Sequence, residues 1–531
     1  MEEVSPFRTS ALSQPSASLS KPSALFRSSL GMRLPRLPSL IRRMKIKISL
    51  PKSFLYAFVP QIFRTKIFHD PAPPSRLYPT SWIDGLRGLA ALCVFNFHYL
   101  FAYTDMAARP WGSDSNHHWL IELPIIRLPY LGLPMVNTFF LAAGYVISLK
   151  PLQLMHSNTS SSREELLQTT CSSVFRRLWR LYLPVAASTL MVVFCTRLGL
   201  WEFMRIPITD RHLFPGTREK QLPRLDTLGQ QLFLWLQEMS KITSIWEWKP
   251  FFPLHDPHLW SIAFEFRASL VLYLALILVA RTKVYVRLGL LGALSIYCFR
   301  NDRYEIVLYF WGACLAQWDI IRAHRAPPSL PQTTNPVKEF DELPAVPDSE
   351  SHPLPLSSRF FSSIIKTYLW KLAYGSLFFL SLWLFTAPTG GYTTAFGYQT
   401  LSYLIPSFWT RKEKFLPALG GILLMFLLSH CSPSSLAHRL LTNGTVQYLG
   451  KISFSLYLMH GPWLHLYGYY VPILVWKLVD REKVTGYVIG LIVGWAVNLA
   501  VSLCLADVFC REIDARCVKI AKWIEEKCFV R

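Results

Sequence analysis

The sequence of 531 residues is poor in charged side chains. Only 17% of its residues are Asp, Glu, Lys or Arg, whereas 51% are hydrophobic and 14% are aromatic, and the mean hydropathy is +0.26. This composition excludes an ordinary soluble protein of this size. The ten cysteines include no CxxC pair and no regular spacing, which argues against a zinc site and against a disulfide framework. No metal site is therefore predicted.

Several other patterns are missing. The start, Met1-Glu2-Glu3 and then Ser- and Pro-rich sequence, has no cleavable signal-peptide plan, so the first long apolar run is expected to act as an anchor. Despite a formal charge of +22, no basic, aromatic-interleaved module indicates nucleic acid. The basic residues instead lie in a terminal tail and between apolar runs, as expected for loops that face the cytoplasm and anionic lipid. No internal repeat indicates a transporter built from inverted halves.

The sequence does contain many apolar runs of spanning or near-spanning length. They lie at about 85–104, 130–149, 181–199, 259–280, 284–299, 304–321, 370–387, 415–430, 446–468 and 484–508, with a weaker candidate at 397–409. The predicted fold is all-α, a polytopic transmembrane helical bundle of about ten or eleven spans. The half-apolar piece LGQQLFLWLQEM is too short and polar to span, and is predicted to be a luminal cap or a re-entrant segment.

Composition divides the chain into three parts. Residues 1–80 form a basic, largely disordered N-terminal cytoplasmic extension, in which residues 40–63 are either a membrane-surface element or a basic linker. Residues 81–508 form the transmembrane domain, which a Pro-, Ser- and acid-rich flexible linker interrupts at 322–360. Residues 509–531 form a short charged C-terminal tail.

The stretch SWIDGLRGLAALCVFNFHYL, residues 81–100, places three ionisable groups in an apolar run, where such groups are costly and are therefore candidate functional residues. Asp84 and Arg87 can pair across one helical turn. Arg87 and His98 share one helix face about 16 Å apart, a spacing that suits one elongated ligand. Arg87 suits phosphate and His98 can accept a proton. Alternatively, Arg87 snorkels to the interface and His98 hydrogen-bonds a neighbouring helix.

Two further segments carry basic candidates. In FRRLWRLYLP, the residues Arg176, Arg177 and Arg180 lie at a predicted cytoplasmic helix entrance, where they either mark topology or capture an anionic ligand. In YLGKISFSLYLMHGPWLHLY, His460 precedes a proline, and a local helix break would leave polar backbone available to a site. A histidine satisfied within the bundle is the alternative for His460.

The segment HDPHLWSIAFEFRASLVLYL carries an acidic candidate. Glu265 lies well inside the apolar run, so it needs a partner, a proton or a role in a site. His255 and His258 could join a luminal-side site, although one HDPH pair is a weak metal signal.

Taken together, these segments resemble the acyltransferase 3 family of integral-membrane acyltransferases, and in particular its fungal branch, whose members often acylate secondary metabolites. The matching pieces occur in the family's order from about residue 80 to 508: DGLRGLAALCVFNFH, FFLAAGYVIS, RRLWRLYLP, LWSIAFEFRASLVLYL and LGKISFSLYLMHGP. The residues after Glu265 depart from the acidic-acidic-Gln-Phe-Tyr wording common in bacterial relatives, which leaves the substrate class open.

The resemblance implies that an acyl group moves from acyl-CoA, commonly acetyl-CoA, to a hydroxyl. It places Arg87 at the nucleotide-phosphate end of CoA and His98 at the transfer centre, with Glu265 and His460 as further site members. The arginines of FRRLWRLYLP are further candidates for CoA binding. We expect direct transfer with His98 as the base and rank a covalent acyl-enzyme second, because no Ser or Cys lies in a recognisable nucleophile elbow.

The expected acceptor is a small, largely apolar alcohol, such as a secondary metabolite; a sterol or sugar hydroxyl remains an alternative. The expected partners are acyl-CoA as co-substrate and the lipid bilayer, with no permanently bound cofactor and no nucleic acid. The endoplasmic reticulum is the expected location. A membrane transporter or a non-catalytic scaffold is the rival interpretation, and substrate flux without acyl-CoA consumption would favour the transporter.

Overall fold

A computed structural model describes residues 59–61, 64, 77–157, 159–217, 219–325 and 356–529, with backbone alone for residues 356–367. Nearly all of the N-terminal extension, including most of its predicted surface element, lies outside the described residues. So does the centre of the predicted linker. At the two ends of that linker, residues 322–325 and 356–360 are helical.

The described residues form helices and no strand. The α-helices are α1 (Ser81–Leu100), α2 (Leu133–Ser157), α3 (Ser160–Arg197), α4 (Glu202–Arg205), α5 (Leu228–Thr243), α6 (Trp260–Leu278), α7 (Val284–Arg300), α8 (Tyr304–Arg325), α9 (Leu356–Phe385), α10 (Gln399–Ser402), α11 (Phe415–Ser429), α12 (Leu436–Leu441), α13 (Gly444–Leu466), α14 (Val471–Trp476), α15 (Val484–Phe509) and α16 (Ala515–Cys528). Short 3₁₀ turns lie at Leu120–Glu122, Leu128–Tyr130, Pro207–Thr209, Pro257–Leu259, Lys412–Lys414 and Gly468–Tyr470, and a π-turn at Cys510–Asp514 joins α15 to α16.

Five described segments are long and apolar enough to cross a membrane: Leu133–Ser157, Ser160–Arg197, Pro257–Leu278, Tyr368–Phe385 and Val484–Cys528. The predicted all-α class is thus confirmed, while the predicted count of ten or eleven spans is not. At the weak candidate 397–409 only the one-turn helix α10 forms, so no spanning helix exists there.

Glycines allow the central helices to pack with their backbones in contact. On α1 and α13, a Cβ added to Gly88 would lie 2.4 Å from the backbone nitrogen of Gly450. On α2 and α8, a Cβ on Gly144 would lie 2.4 Å from the carbonyl oxygen of Tyr309. Because real Cβ atoms do not approach so closely, only glycine fits at these two crossings. The crossings fix which residues of each helix pair lie at the same level.

Helix α5 shows why the piece LGQQLFLWLQEM forms a helix. Thr227 caps its first turn, because its hydroxyl accepts from the Gln230 nitrogen at 3.2 Å and the Gln230 side chain accepts from the Thr227 nitrogen at 3.1 Å. Further along α5, Glu238 accepts from the backbone nitrogen of Leu254 at 2.8 Å. Helix α5 therefore holds the chain just before the HDPH turn.

Candidate functional site

Three histidines from distant parts of the chain lie together: His98 in the last turn of α1, His258 in the turn before α6, and His460 in α13. The ring centroids lie 3.8 Å apart for His98 and His258, 4.8 Å for His258 and His460, and 5.3 Å for His98 and His460. We call these three residues the imidazole cluster. The structure therefore brings the predicted His98 and His460 together and adds His258.

The glycine crossing explains why α1 and α13 present histidines at the same level. Gly88 contacts Gly450, and each glycine is followed ten positions later by a histidine of the cluster. Two parallel helices in contact rise equally per residue, so the two histidines reach the same height. The carbonyl oxygen of His98 also accepts from the Tyr469 hydroxyl at 2.9 Å, which fixes this end of α1.

The HDPH sequence positions His258. Asp256 caps the short turn by accepting from the His258 backbone nitrogen at 3.1 Å, and the same carboxylate oxygen lies 2.7 Å from His258 Nδ1. A Cβ on Gly461 would lie 2.5 Å from that ring nitrogen, so the glycine after His460 makes room for the imidazole. His255 points elsewhere, with its Nδ1 2.5 Å from Glu238 on α5.

Each ring of the cluster carries a buried nitrogen with no hydrogen-bond partner among the described residues: Nδ1 of His98, Nε2 of His258 and Nε2 of His460. The other nitrogen of His460 lies 3.1 Å from the carbonyl oxygen of Leu456, to which only a protonated Nδ1 can donate. The lone pair of the neutral His460 ring is therefore on Nε2, within the cluster. Unpartnered buried nitrogens of this kind suit proton transfer to or from a bound substrate.

A loop carboxylate completes the surroundings. Glu219 Oε1 lies 3.3 Å from His258 Nε2, and Glu219 Oε2 lies 2.6 Å from His465 Nε2. Burial alone raises the pKa of the Glu219 carboxyl, but the two adjacent histidines hold that pKa well below its usual range. The loop is fastened to the end of α1, where Thr217 donates its backbone N–H to the Phe101 carbonyl at 2.7 Å.

The three imidazoles also raise the question of a metal ion, because one nitrogen from each lies within 4.8 Å of the others. A metal ligand must offer a lone pair, so its ligating nitrogen carries no proton. Both nitrogens of His258 face carboxylates, one from Asp256 and one from Glu219, and carboxylates favour an N–H at each position. The surroundings of His258 therefore fit a protonated ring better than a metal ligand.

The predicted arginines gather toward the other end of α1. Arg180 lies close enough to Asp514 and to the other three predicted arginines for their charges to interact with its own. Arg87 lies 3.7 Å from Asp84, and both side chains are substantially exposed, at 37% and 54%. Arg176 lies 3.3 Å from Glu525 of α16, so one predicted anion-binding side chain already faces a carboxylate.

Glu265 lies with these arginines instead of with the imidazole cluster. Its carboxylate lies 3.0 Å from Arg177, which also donates to the Tyr309 hydroxyl at 3.3 Å. One turn earlier on α6, Ser261 bonds to the hydroxyl of Tyr457 at 2.7 Å, and Tyr457 donates to the His258 carbonyl. The structure thus supplies the partner that the sequence required for Glu265.

Sequence reasoning missed Glu219 and Asp256 and left His258 as a weak candidate. Glu219 is a single acid in a polar loop, with no motif around it. The arrangement Asp-Pro-His does carry a signal, since an aspartate before proline and two residues before a histidine can cap a turn and hold the imidazole. The geometry provides unpartnered imidazole nitrogens at one end of α1 and arginines at the other.

Comparisons with known proteins support the family resemblance found in the sequence. Residues 80–511 match the family described as acyltransferase domain, of the acyltransferase 3 type. The chain is 27% identical to O-acetyltransferase PaAT-1 of Phomopsis amygdali over 85% of each chain. It is 26% identical to acyltransferase R4 of Phoma sp., over 83% of this chain and 93% of that one, and 26% identical to acyltransferase clz18 of Cochliobolus lunatus, over 85% and 96%. No solved structure matches. These matches confirm the resemblance: the chain belongs to the acyltransferase 3 family.

Proposed function

We propose that the protein is a membrane-bound O-acyltransferase that moves an acetyl group from acetyl-CoA to a hydroxyl of a small, largely apolar acceptor. The observation that carries this proposal is the imidazole cluster, in which His98 lies on the same helix as Arg87. The two side chains are about 16 Å apart along that helix. A long thioester donor with charged phosphates at one end and a reactive carbonyl at the other fits such a site.

The charged end of the donor is assigned to Arg87 and Arg180. Arg87 is half-exposed, and its carboxylate neighbour Asp84 is 3.7 Å away, a loose contact that a phosphate can displace. Arg177 is assigned a structural role, because it pairs with Glu265 at 3.0 Å and both side chains are mostly buried. Arg176 becomes available to the donor when it leaves Glu525.

The chemistry is assigned to His98, which acts as general base. Its unpartnered Nδ1 takes the proton of the acceptor hydroxyl as the oxygen bonds to the carbonyl carbon of the thioester. The carbon–sulfur bond then breaks, its electrons leave with sulfur, and the proton passes from His98 to the thiolate. The products are the acetyl ester and CoA. His460, with its lone pair on Nε2, is assigned the second position beside the acceptor.

The acceptor class and the location are also proposals. Apolar helices around the cluster favour an acceptor that partitions into the bilayer, and a secondary-metabolite alcohol fits this description. The name of the Phomopsis amygdali relative supports acetyl as the group transferred. We place the enzyme in the endoplasmic reticulum membrane, as a multi-pass protein.

The decisive experiment incubates membranes that contain the protein with radiolabelled acetyl-CoA and candidate metabolite extracts, and identifies the labelled ester. His98→Ala should abolish ester formation, while the matched control His118→Ala, at an exposed histidine, should not. Arg87→Ala should raise the apparent KM for acetyl-CoA, while Arg211→Ala, at an exposed loop arginine, should leave it unchanged. Full turnover in His98→Ala protein would refute the base assignment. Uptake of a small molecule without acetyl-CoA consumption would instead support a transporter.

A further inference from the structure

We infer that His258 is a further catalytic residue, a cationic hydrogen-bond donor that stabilises the thioester carbonyl oxygen as negative charge develops on it. This inference rests on the proposed acyl transfer and adds a group that the sequence motifs did not assign. It depends on three observations: the carboxylates on both sides of the ring, the unpartnered Nε2, and the closeness of His98.

Both nitrogens of the His258 ring face carboxylates. Nδ1 of His258 lies 2.7 Å from Asp256 and Nε2 lies 3.3 Å from Glu219. A neutral imidazole has one N–H and can satisfy only one carboxylate, whereas the imidazolium can donate toward both. The His258 side chain is 2% exposed, so water cannot replace either partner easily. The surroundings therefore favour the cationic ring.

The two ring nitrogens of His258 differ in how firmly they are paired. Asp256 holds Nδ1 in a well-formed hydrogen bond, which fixes the orientation of the ring. Although Glu219 is within ion-pair distance, Nε2 forms no hydrogen bond among the described residues. The direct contact of Glu219 is with His465, at 2.6 Å, and this contact holds the carboxylate in place. The Nε2–H group is thus charged, oriented and only loosely paired with Glu219 at 3.3 Å, so an oxyanion that develops beside it can take its hydrogen bond.

His258 lies beside the two other histidines of the cluster. The rings of His98 and His258 have centroids 3.8 Å apart, so an acyl carbon attacked by an oxygen at His98 lies next to His258. His460 lies 4.8 Å from His258 and 5.3 Å from His98 between ring centroids, with its lone pair on Nε2. The cluster therefore combines rings that accept protons with one ring that donates a hydrogen bond. Such a division of roles between neighbouring titratable groups is a general feature of acid–base sites.

As the acceptor oxygen bonds to the carbonyl carbon, its proton goes to His98 and the carbonyl π electrons move onto the carbonyl oxygen, which accepts a hydrogen bond from His258 Nε2–H. When the oxyanion collapses, the carbon–sulfur electrons leave with sulfur and the proton of His98 neutralises the thiolate. His258 keeps its own protons throughout, and the nearby Glu219 carboxylate offsets the second positive charge while His98 is protonated.

The test compares His258→Gln with His255→Gln. Both histidines are buried at 2% exposure, both face a carboxylate and both belong to the HDPH turn, but His255 contacts Glu238 and not the cluster. Loss of one oxyanion donor lowers kcat by about 100- to 1,000-fold. We expect this loss in His258→Gln with an unchanged KM for acetyl-CoA, and wild-type kcat in His255→Gln. The readout is labelled ester formed from radiolabelled acetyl-CoA by purified full-length protein.

Three outcomes are distinct. If wild-type protein forms no ester with any acceptor, the proposed function falls and this inference falls with it. If wild-type protein is active and His258→Gln keeps a normal kcat, the inference alone is overturned. If His258→Gln no longer binds CoA and is therefore misfolded, Asp256→Asn decides, because it keeps the shape of the cap and removes its charge. A lower kcat with intact CoA binding supports the inference, and an unchanged kcat overturns it.

Discussion

The crossing of α1 and α13 predicts a sharp effect of one added methyl group. In Gly88→Ala the new Cβ would lie 2.4 Å from the Gly450 nitrogen, 2.8 Å from the Leu449 carbonyl carbon and 2.9 Å from the Val446 carbonyl oxygen. All three are backbone atoms, which cannot rotate away as a side chain does. The two helices must therefore separate by about 1 Å to restore ordinary contact, at a cost of about 1–3 kcal/mol.

The same separation reaches the imidazole cluster, because His98 and His460 lie only about 15 Å further along the two helices. A misplacement of about 1 Å costs on the order of 100-fold in rate. We therefore expect Gly88→Ala to unfold at a lower temperature and to lose most of its turnover. Tryptophan fluorescence of the detergent-purified protein during heating and the labelled-ester assay measure the two effects.

Gly289→Ala is the matched control. It makes the same chemical change inside helix α7, where an added Cβ meets nothing within 4 Å. Alanine favours a helix over glycine, so this variant should be unchanged or more stable by up to about 1 kcal/mol. If Gly88→Ala unfolds at the temperature of Gly289→Ala and turns over normally, the close packing of α1 on α13 is refuted.

Three further predictions test other contacts. Arg177→Met leaves the carboxylate of Glu265 unpaired and should lower the free energy of unfolding by about 3–5 kcal/mol. Adding Glu265→Gln should restore most of that loss. Thermal unfolding of both proteins measures this, and equal stability of the single and double variants would contradict the pairing. Glu219 has a depressed pKa, so its stabilising contribution is present above its unfolded pKa of about 4.3 and is lost as pH falls through the lower folded pKa. Glu219→Gln should therefore make the free energy of unfolding less dependent on pH in this acidic range. An unaltered pH dependence would argue against this role of Glu219. Glu525→Gln frees Arg176 from its ion pair, which should lower the KM for acetyl-CoA by up to about fivefold. An unchanged KM would remove Arg176 from the donor site.

Much of the site could be anticipated because ionisable groups are rare in apolar sequence. His98, Glu265 and His460 stand out for this reason alone. Their grouping could not be anticipated, since it depends on the level at which helices cross. The Gly88–Gly450 contact sets this level for His98 and His460, and nothing in either segment identifies the other as its neighbour. Glu265 needed a partner, but only packing selects Arg177.

The residues around His258 show a second limit. Sequence alone could not tell which histidine of HDPH joins a site, because the answer depends on α5. Glu238 of that helix contacts His255, whereas His258 faces the cluster. Glu219 reaches the cluster from a loop whose Thr217 is hydrogen-bonded to the end of α1. Loop positions of this kind carry no periodic signal that could place them.

Hydropathy located the helices better than it counted the spans. The run at 397–409 forms only a one-turn helix, and Pro406 in its middle has no N–H to continue one. Helix α1 is not among the five apolar segments, because its polar side chains, Arg87 and His98 among them, lower its mean hydropathy. The functional groups that identify α1 thus also weaken its membrane signal.

The parallel pairing of α1 with α13 also bears on how the protein is made. Helix α1 begins at Ser81 and α13 at Gly444, so a ribosome adding about 5–20 residues per second completes the two helices roughly 20 to 70 s apart. Throughout this interval the glycine face of α1 lacks its partner, because α13 has not yet been synthesised. Assembly of the imidazole cluster is therefore a late event in biogenesis, and the cluster stays incomplete until α13 has been synthesised.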